Sequence, residues 1–311
     1  MKKPPFHAGA NTLAVLAYHR TGDPAQTACD PWLFTADADQ LDAQLEYFRK
    51  HHRVVGLDEA LAIASGRESS PGLAVLVTFD DGYVDNFRTA LPVLRSHGME
   101  ALFFLVSGFA SGGIVPWWDR VAWAVKTATP RELRLRGSFG AAAFKLNGSD
   151  RAGTLKAILD FYKAQDARPH DEFVREIETA CAAKPFDASR RRFIDWDEAR
   201  QMRAAGMKIG AHTHTHPILS RLPVHEQRRE LELSRQILEE RVGAGVDTFA
   251  YPVGGAADFT PATEELLESC GYRAAFSCYG GVNAAQNGRR FDIRRIPVYW
   301  GAKPEWLLEL G

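Results

Sequence analysis

Eight short apolar runs, separated by stretches with helical spacing, constrain this chain more than any other feature. The runs fall at residues 13–19, 54–57, 73–81, 101–106, 207–213, 246–252, 274–279 and 294–300. In the third of them Val75, Leu76, Val77 and Phe79 show no polar alternation, the pattern of a strand buried on both faces. Between the runs, residues 35–51 place Leu41, Leu45 and Phe48 on one helical face, with Asp37 and Asp39 in the first turn. Residues 84–97 carry Phe87, Leu91 and Leu94 and stop before Gly98, with Pro92 as a kink point. Further helical stretches end at Gly206, Gly243 and Gly271, and the last of these has Pro261 at a first helical position. Strands alternating with helices imply a parallel sheet with right-handed crossovers. About seven or eight such strands are enough to close a (β/α) barrel, so the fold class read here is α/β.

The third run ends in two adjacent carboxylates, Asp80 and Asp81, and then Gly82. Burying charge without a partner is costly, and neighbouring carboxylates repel; a bound cation relieves both. Residues 207–217 (MKIGAHTHTHP) run from a short strand into His212, His214 and His216. Imidazole is a preferred ligand of zinc and similar ions, and two His plus one carboxylate is a common hydrolytic metal set. If the segment stays extended, all three imidazoles share a face; if it curls after Thr213, His212 and His216 converge and His214 turns away. Both remain open at this level.

These residues resemble a known family. Thr78–Gly82 (TFDDG) and residues 212–217 (HTHTHP) are similar to the first two motifs of the polysaccharide deacetylases, carbohydrate esterase family 4, TFDDG and H-[ST]-x-x-H. Residues 248–255 (TFAYPVGG) look like the third, in its F-A-Y-P-x-G form. The resemblance implies a distorted (β/α) barrel. It makes Asp81, His212 and His216 the ligands of a divalent metal, Zn2+ with Ni2+, Co2+ or Mn2+ as alternatives. It makes Asp80 the general base and His214 a non-ligand. Where many members carry an Arg that orients the base this chain has Ala250, so Arg294 or Arg295 is the expected replacement. Many members also use a late His as general acid, but His225 is the last histidine here. Tyr18-His19, at the end of the first run, resembles a branch in which that pair supplies the acid, and His19 is assigned that role. The backbone N–H of Tyr83 is placed beside the developing oxyanion. Tyr83, Tyr251, Pro252, Trp117, Trp118, Arg294 and Arg295 are the expected substrate contacts.

Residues 107–195 break the alternation and are read as a mainly helical insertion in a single barrel domain spanning 1–311. Residues 107–116 are Gly-rich, Trp117 opens a helix, 131–146 suggest a hairpin turning at Gly137, and 153–179 one or two helices. Trp117 and Trp118 either anchor this insertion or stack on a sugar.

Composition narrows the function classes. A net charge of -1 over 311 residues offers no footprint for nucleic acid, and Arg190-Arg191-Arg192 is too short to make one. Cys29, Cys181, Cys270 and Cys278 are scattered without a metal spacing. The first twelve residues lack an apolar leader and no run is long enough to span a membrane, so a cytoplasmic location is expected for the sequence as given. The resulting expectation is a bacterial metal-dependent hydrolase that removes acetyl groups, chiefly N-acetyl, from a glycan. An amidohydrolase of small non-sugar amides and a catalytically silent glycan-binding barrel are the alternatives.

Overall fold

A computed structural model describes residues 11–137, 139–146, 150–164, 170–188, 192–284 and 289–309. The N-terminal ten residues, which bear on the leader, and Arg190 and Arg191 of the basic run lie outside the described residues. The chain divides into two compact units, one of residues 1–22, 34–113 and 192–311, the other of residues 23–33 and 114–191.

The first unit carries the barrel. Its strands are β1 (Thr12–Tyr18), β2 (Leu73–Phe79), β3 (Leu102–Leu105), β4 (Lys208–Ala211), β5 (Thr248–Ala250), β6 (Ala274–Ser277), β7 (Ile293–Arg294) and β8 (Ile296–Pro297). β1 to β7 pair in parallel in that order, and β1 lies against β2 along its full length, from Thr12↔Leu73 to Tyr18↔Phe79. β7 pairs with β6 (Ser277↔Arg294), while β8 turns to β1 (Leu16↔Ile296). One segment interrupted at Arg295 thus joins both edges and nearly closes the ring. A two-residue antiparallel strand, Asn283–Ala284, is added at the start of β1.

Period-two alternation sorts the apolar residues into two layers. Leu13, Val15, Leu76, Phe104, Ala250, Phe276 and Ile293 form the inner cluster. Phe104 of β3 meets Phe276 of β6 at 5.3 Å between ring centroids, a contact across the ring because β4 and β5 lie between their strands. Leu16, Val75, Val77 and Phe103 face the opposite way, with Leu41, Leu45 and Phe48 of helix α1 (Ala38–His51). Gly210 in β4 leaves room for the inner layer, since a Cβ there would come within 2.5 Å of the Phe104 ring.

Two local expectations need correction. The run at 54–57 contributes only the two-residue strand Arg53–Val54, after which Leu57 opens helix α2 (Leu57–Ala64). The Glu100 carboxylate accepts from the Leu57 N–H at 2.7 Å, satisfying a donor at that helix start. Residues 84–97 are not one α-helix. A π-helical turn, Asn86–Ala90, precedes helix α3 (Leu91–Ser96), which puts Pro92 in a first turn where its missing N–H costs nothing.

The second unit has helices α4 (Trp117–Thr127), α5 (Arg151–Lys163) and α6 (His170–Ala180) and an antiparallel hairpin, Glu132–Leu135 with Ala142–Lys145. Trp117 packs on Trp118, Tyr162 and Phe173, and an Arg120–Glu178 pair at 2.9 Å ties α4 to α6. No helix among the described residues is long and apolar enough to cross a membrane.

Candidate metal and hydrolytic site

The C-terminal ends of β1, β2, β4 and β5 and the Arg295 break gather the chemistry-bearing residues of the first unit. After Phe79 the chain turns within two residues: Asp80 N donates to Tyr18 O at 2.9 Å and Gly82 N donates to Asp80 O at 2.9 Å. Asp81 and Gly82 both take left-handed backbone, with φ of 69° and 74°. A non-glycine residue held there costs energy that the surroundings must over-determine. The turn separates the two acids, which are each 3% exposed, and gives each its own cationic or imidazole partners.

Asp80 meets Arg295. The guanidinium donates to both carboxylate oxygens, Nη1 to Oδ1 at 2.6 Å and Nη2 to Oδ2 at 2.8 Å. Arg295 is itself fully buried, with Nε donating to Ser277 O at 3.1 Å. Burial pushes the Asp80 carboxyl toward neutrality, but Arg295, with His212 and His19, holds it below the ordinary carboxylate range. Of the two arginines weighed from sequence, Arg295 therefore reaches the acid. Arg294 donates instead to Val282 O at 2.9 Å, and it lines a separate cavity of about 270 Å³ with Arg289 and Asp292.

Asp81 meets the imidazoles. Its Oδ1 lies 3.6 Å from His212 Nε2 and 3.4 Å from His216 Nε2. The segment curls after His212: Thr213 and His216 both have φ of 64°, and His214 turns away to place Nδ1 2.8 Å from Ser107 Oγ. Glu230, on helix α7 (Val224–Val242), fixes the curl. Its carboxylate accepts from the backbone N–H of His214 and Thr215 and from Thr215 Oγ1, at 2.7, 2.8 and 2.7 Å. Phe109 stacks beside the His216 ring at 6.2 Å.

This donor set fits a divalent cation. The ligating atoms of Asp81, His212 and His216 all lie within 4.8 Å of one another. Asp81 Oδ1 is buried without a hydrogen-bond partner, a state that is costly unless a cation meets it. His212 Nδ1 pairs with Ala250 O at 2.7 Å, which fixes the ring and leaves Nε2 toward Asp81. Burial pushes His212 down to about 4, so the ring is neutral, as a ligand must be, at ordinary pH. The same shift makes a prediction for metal-stripped protein. Between the ordinary histidine value near 6.5 and about 4, the unfolded chain takes up a proton that folded His212 refuses. Stability should therefore fall as pH drops through that window, by at most about 3 kcal/mol from this group. Urea midpoints of the stripped protein and of His212→Asn across pH 4–7 test this; equal slopes in the two proteins would refute it.

His19 follows β1, with Nε2 4.0 Å from Asp80 Oδ2 and a side chain 28% exposed. The residues expected as substrate contacts lie as follows. Tyr83 packs on Phe193 and beneath Arg20. Tyr251 stacks on Phe259 at 4.0 Å and donates to Phe291 O. Both rings are 1% exposed, and Pro252 and Trp118 are buried as well. These side chains are engaged in packing contacts. Trp117 is half-buried by its neighbours in the second unit. The large aromatics exposed just beyond the strand ends are Tyr279, after β6, and Tyr299 and Trp300, after β8. Sequence reading missed these three and Glu230, which looks like any other charge on a solvated helix.

Comparison with known proteins agrees with the fold. A solved Streptococcus pyogenes deacetylase, PplD, determined with acetate, superposes with a TM-score of 0.62 at 18% identity, covering 96% of this chain and 97% of that one. IcaB from Ammonifex degensii gives 0.59 at 21%, covering 98% and 97%. A de-N-acetylase from Aggregatibacter actinomycetemcomitans gives 0.55 at 17%, covering 91% and 94%. These likenesses establish the distorted (β/α) barrel. Over 32 residues the chain is 56% identical to YxkH of Bacillus subtilis (strain 168), a candidate polysaccharide deacetylase by its name; the match spans 10% of this chain and 12% of that protein. The model of the polysaccharide deacetylase family matches residues 67–134 and 152–275, more than half of the sequence. The chain belongs to the polysaccharide deacetylase family.

Proposed function

We propose that this protein is a metal-dependent hydrolase that removes N-acetyl groups from an acetylated glycan. The observation that carries the reading is the buried convergence of Asp81, His212 and His216 beside a second acid, Asp80, clamped by Arg295. The likeness to a solved de-N-acetylase supports the choice of bond.

A divalent cation on the triad, with Zn2+ favoured by the two-imidazole, one-carboxylate set, supplies Lewis acidity toward the acetyl carbonyl and an attacking water. Asp80 takes the proton of that water, and Arg295 keeps its carboxylate ionised and aimed. His19, at the same rim, gives a proton to the departing sugar nitrogen. His212 stays neutral, and Glu230 holds the loop that carries His216. Exposed Trp300 offers a face for neighbouring sugars. Trp300→Ala should raise KM for an oligosaccharide by roughly 5- to 10-fold, the order of 1 kcal/mol for one aromatic contact, with kcat little changed. Steady-state kinetics on a tetrasaccharide checks it, and an unchanged KM would remove Trp300 from the substrate path.

The test is metal content together with acetate release from N-acetylglucosamine oligomers, O-acetylated xylan and small amides. The expected result is about one metal per chain and release from the amino-sugar oligomers, abolished by chelator and restored by Zn2+. Release that survives complete metal removal, or release from small amides alone, would overturn the proposal.

A further inference from the structure

We infer that Asn86 and Asp85 are positioning residues for His19, forming a latch that holds the break in the first strand and so aims its imidazole at the reacting centre. The inference rests on reading His19 as the proton donor. β1 stops at Tyr18 and a two-residue strand resumes at Arg20–Thr21, leaving His19 alone between them. On one side Tyr18 is registered with Phe79, and its carbonyl accepts from Asp80 N. On the other, Asp85 grips both following residues. Its Oδ2 accepts from Arg20 Nε at 2.9 Å, its Oδ1 from Thr21 N at 2.9 Å, and its backbone carbonyl from Thr21 Oγ1 at 3.0 Å. The Arg20 guanidinium is also held over the rings of Phe34 and Tyr83, at 4.3 and 4.5 Å.

Between these anchors, Asn86 Nδ2 donates to the His19 carbonyl at 2.6 Å. Asn86 is fully buried, and its Oδ1 has no hydrogen-bond partner. The same Nδ2 also reaches Asp85 Oδ1 at 3.5 Å, and burying an amide whose oxygen goes unpaired is expensive, an exception in a native structure that calls for a reason. Both latch residues lie at the π-helical turn that follows the Asp80-Asp81 loop, and π-turns concentrate at functional sites. The segment that follows the two acids therefore fixes the backbone from which His19 reaches to 4.0 Å from Asp80. The His19 side chain is 28% exposed, more than those of Arg20 and Asp85.

The test separates positioning from general damage by changing the leaving group. An amine must be protonated as it departs, whereas 4-nitrophenolate leaves without a proton. Asn86→Asp sets a carboxylate against the His19 carbonyl; Asn86→Ala removes the donor without adding charge and serves if the first variant folds poorly. Both should lower kcat on an N-acetylglucosamine oligomer by about 10- to 100-fold, part of the ~10²–10⁴ that a general acid contributes, with KM within about twofold. Hydrolysis of 4-nitrophenyl acetate should stay within about twofold of the unaltered protein. His19→Ala with Asn86→Ala should be no slower on the oligomer than His19→Ala alone. In the long-range ¹H–¹⁵N spectrum, assigned through His19→Ala, the His19 ring signals should move in both Asn86 variants while those of His212 stay in place. Equal losses on the two substrates, additive effects in the double variant, or unmoved His19 signals would each overturn the inference. Absence of acetate release from the unaltered protein would sink the deacetylase reading instead, and the ring signals would then decide the latch alone.

Discussion

Replacing Asp80 with Asn should lower kcat for acetate release by about 10³–10⁴-fold while metal stays bound near one per chain. The split follows from the turn at Asp80-Asp81. Asp81 faces the imidazoles and Asp80 faces Arg295, so the neutral amide removes the base without touching the triad. His216→Ala is the converse case and should lose metal first. Kinetics paired with metal analysis of the two variants checks both. Turnover retained in Asp80→Asn would refute its assignment as base, and metal lost from that variant would mean the two acids share one site.

Replacing Arg295 with Met should destabilise the protein by about 3–5 kcal/mol, the range for removing one partner of a buried ion pair. Asp80 would then be buried without its cation, and Arg295 also bonds Ser277 O and contacts Thr78 Oγ1 at 3.3 Å. The loss of charge has a sign. Burial already pushes Asp80 upward, and without Arg295 its carboxyl rises, so the acid limb of activity should move to higher pH. Combining Arg295→Met with Asp80→Asn should recover part of the stability, because the uncompensated charge is gone. Denaturant midpoints of the two single variants and the double variant measure this coupling. A double variant no more stable than Arg295→Met would show that Arg295 acts through packing and backbone contacts alone.

The barrel was legible in the sequence because parallel strands covered on both faces leave unbroken apolar runs, each ending one or two residues past the end of β2, β3, β4, β5 or β6. The run at 54–57 misled because four residues cannot distinguish strand from helix; a carboxylate at Glu100 decided the matter. At the site, the acids and imidazoles were legible from chemistry and spacing, whereas the curl at 212–216 was not. Its left-handed residues, Thr213 and His216, are neither glycine nor asparagine, and the turn between them is held by Glu230 through His214 and Thr215, from the polar face of a charged helix. The aromatics next to the motifs misled for a related reason. Tyr83 and Tyr251 sit beside reactive residues in sequence, yet their rings point inward, and adjacency along a chain says nothing about which way a ring faces.

The Arg295 break carries a consequence for how this protein comes to life. Asp80 leaves the ribosome early, and the guanidinium that disciplines it follows 215 residues later, in the same segment that brings the cylinder nearly to closure. A partly synthesised chain has an open seam and an acid without its keeper, so the pairing of Asp80 and the completion of the architecture arrive in a single event.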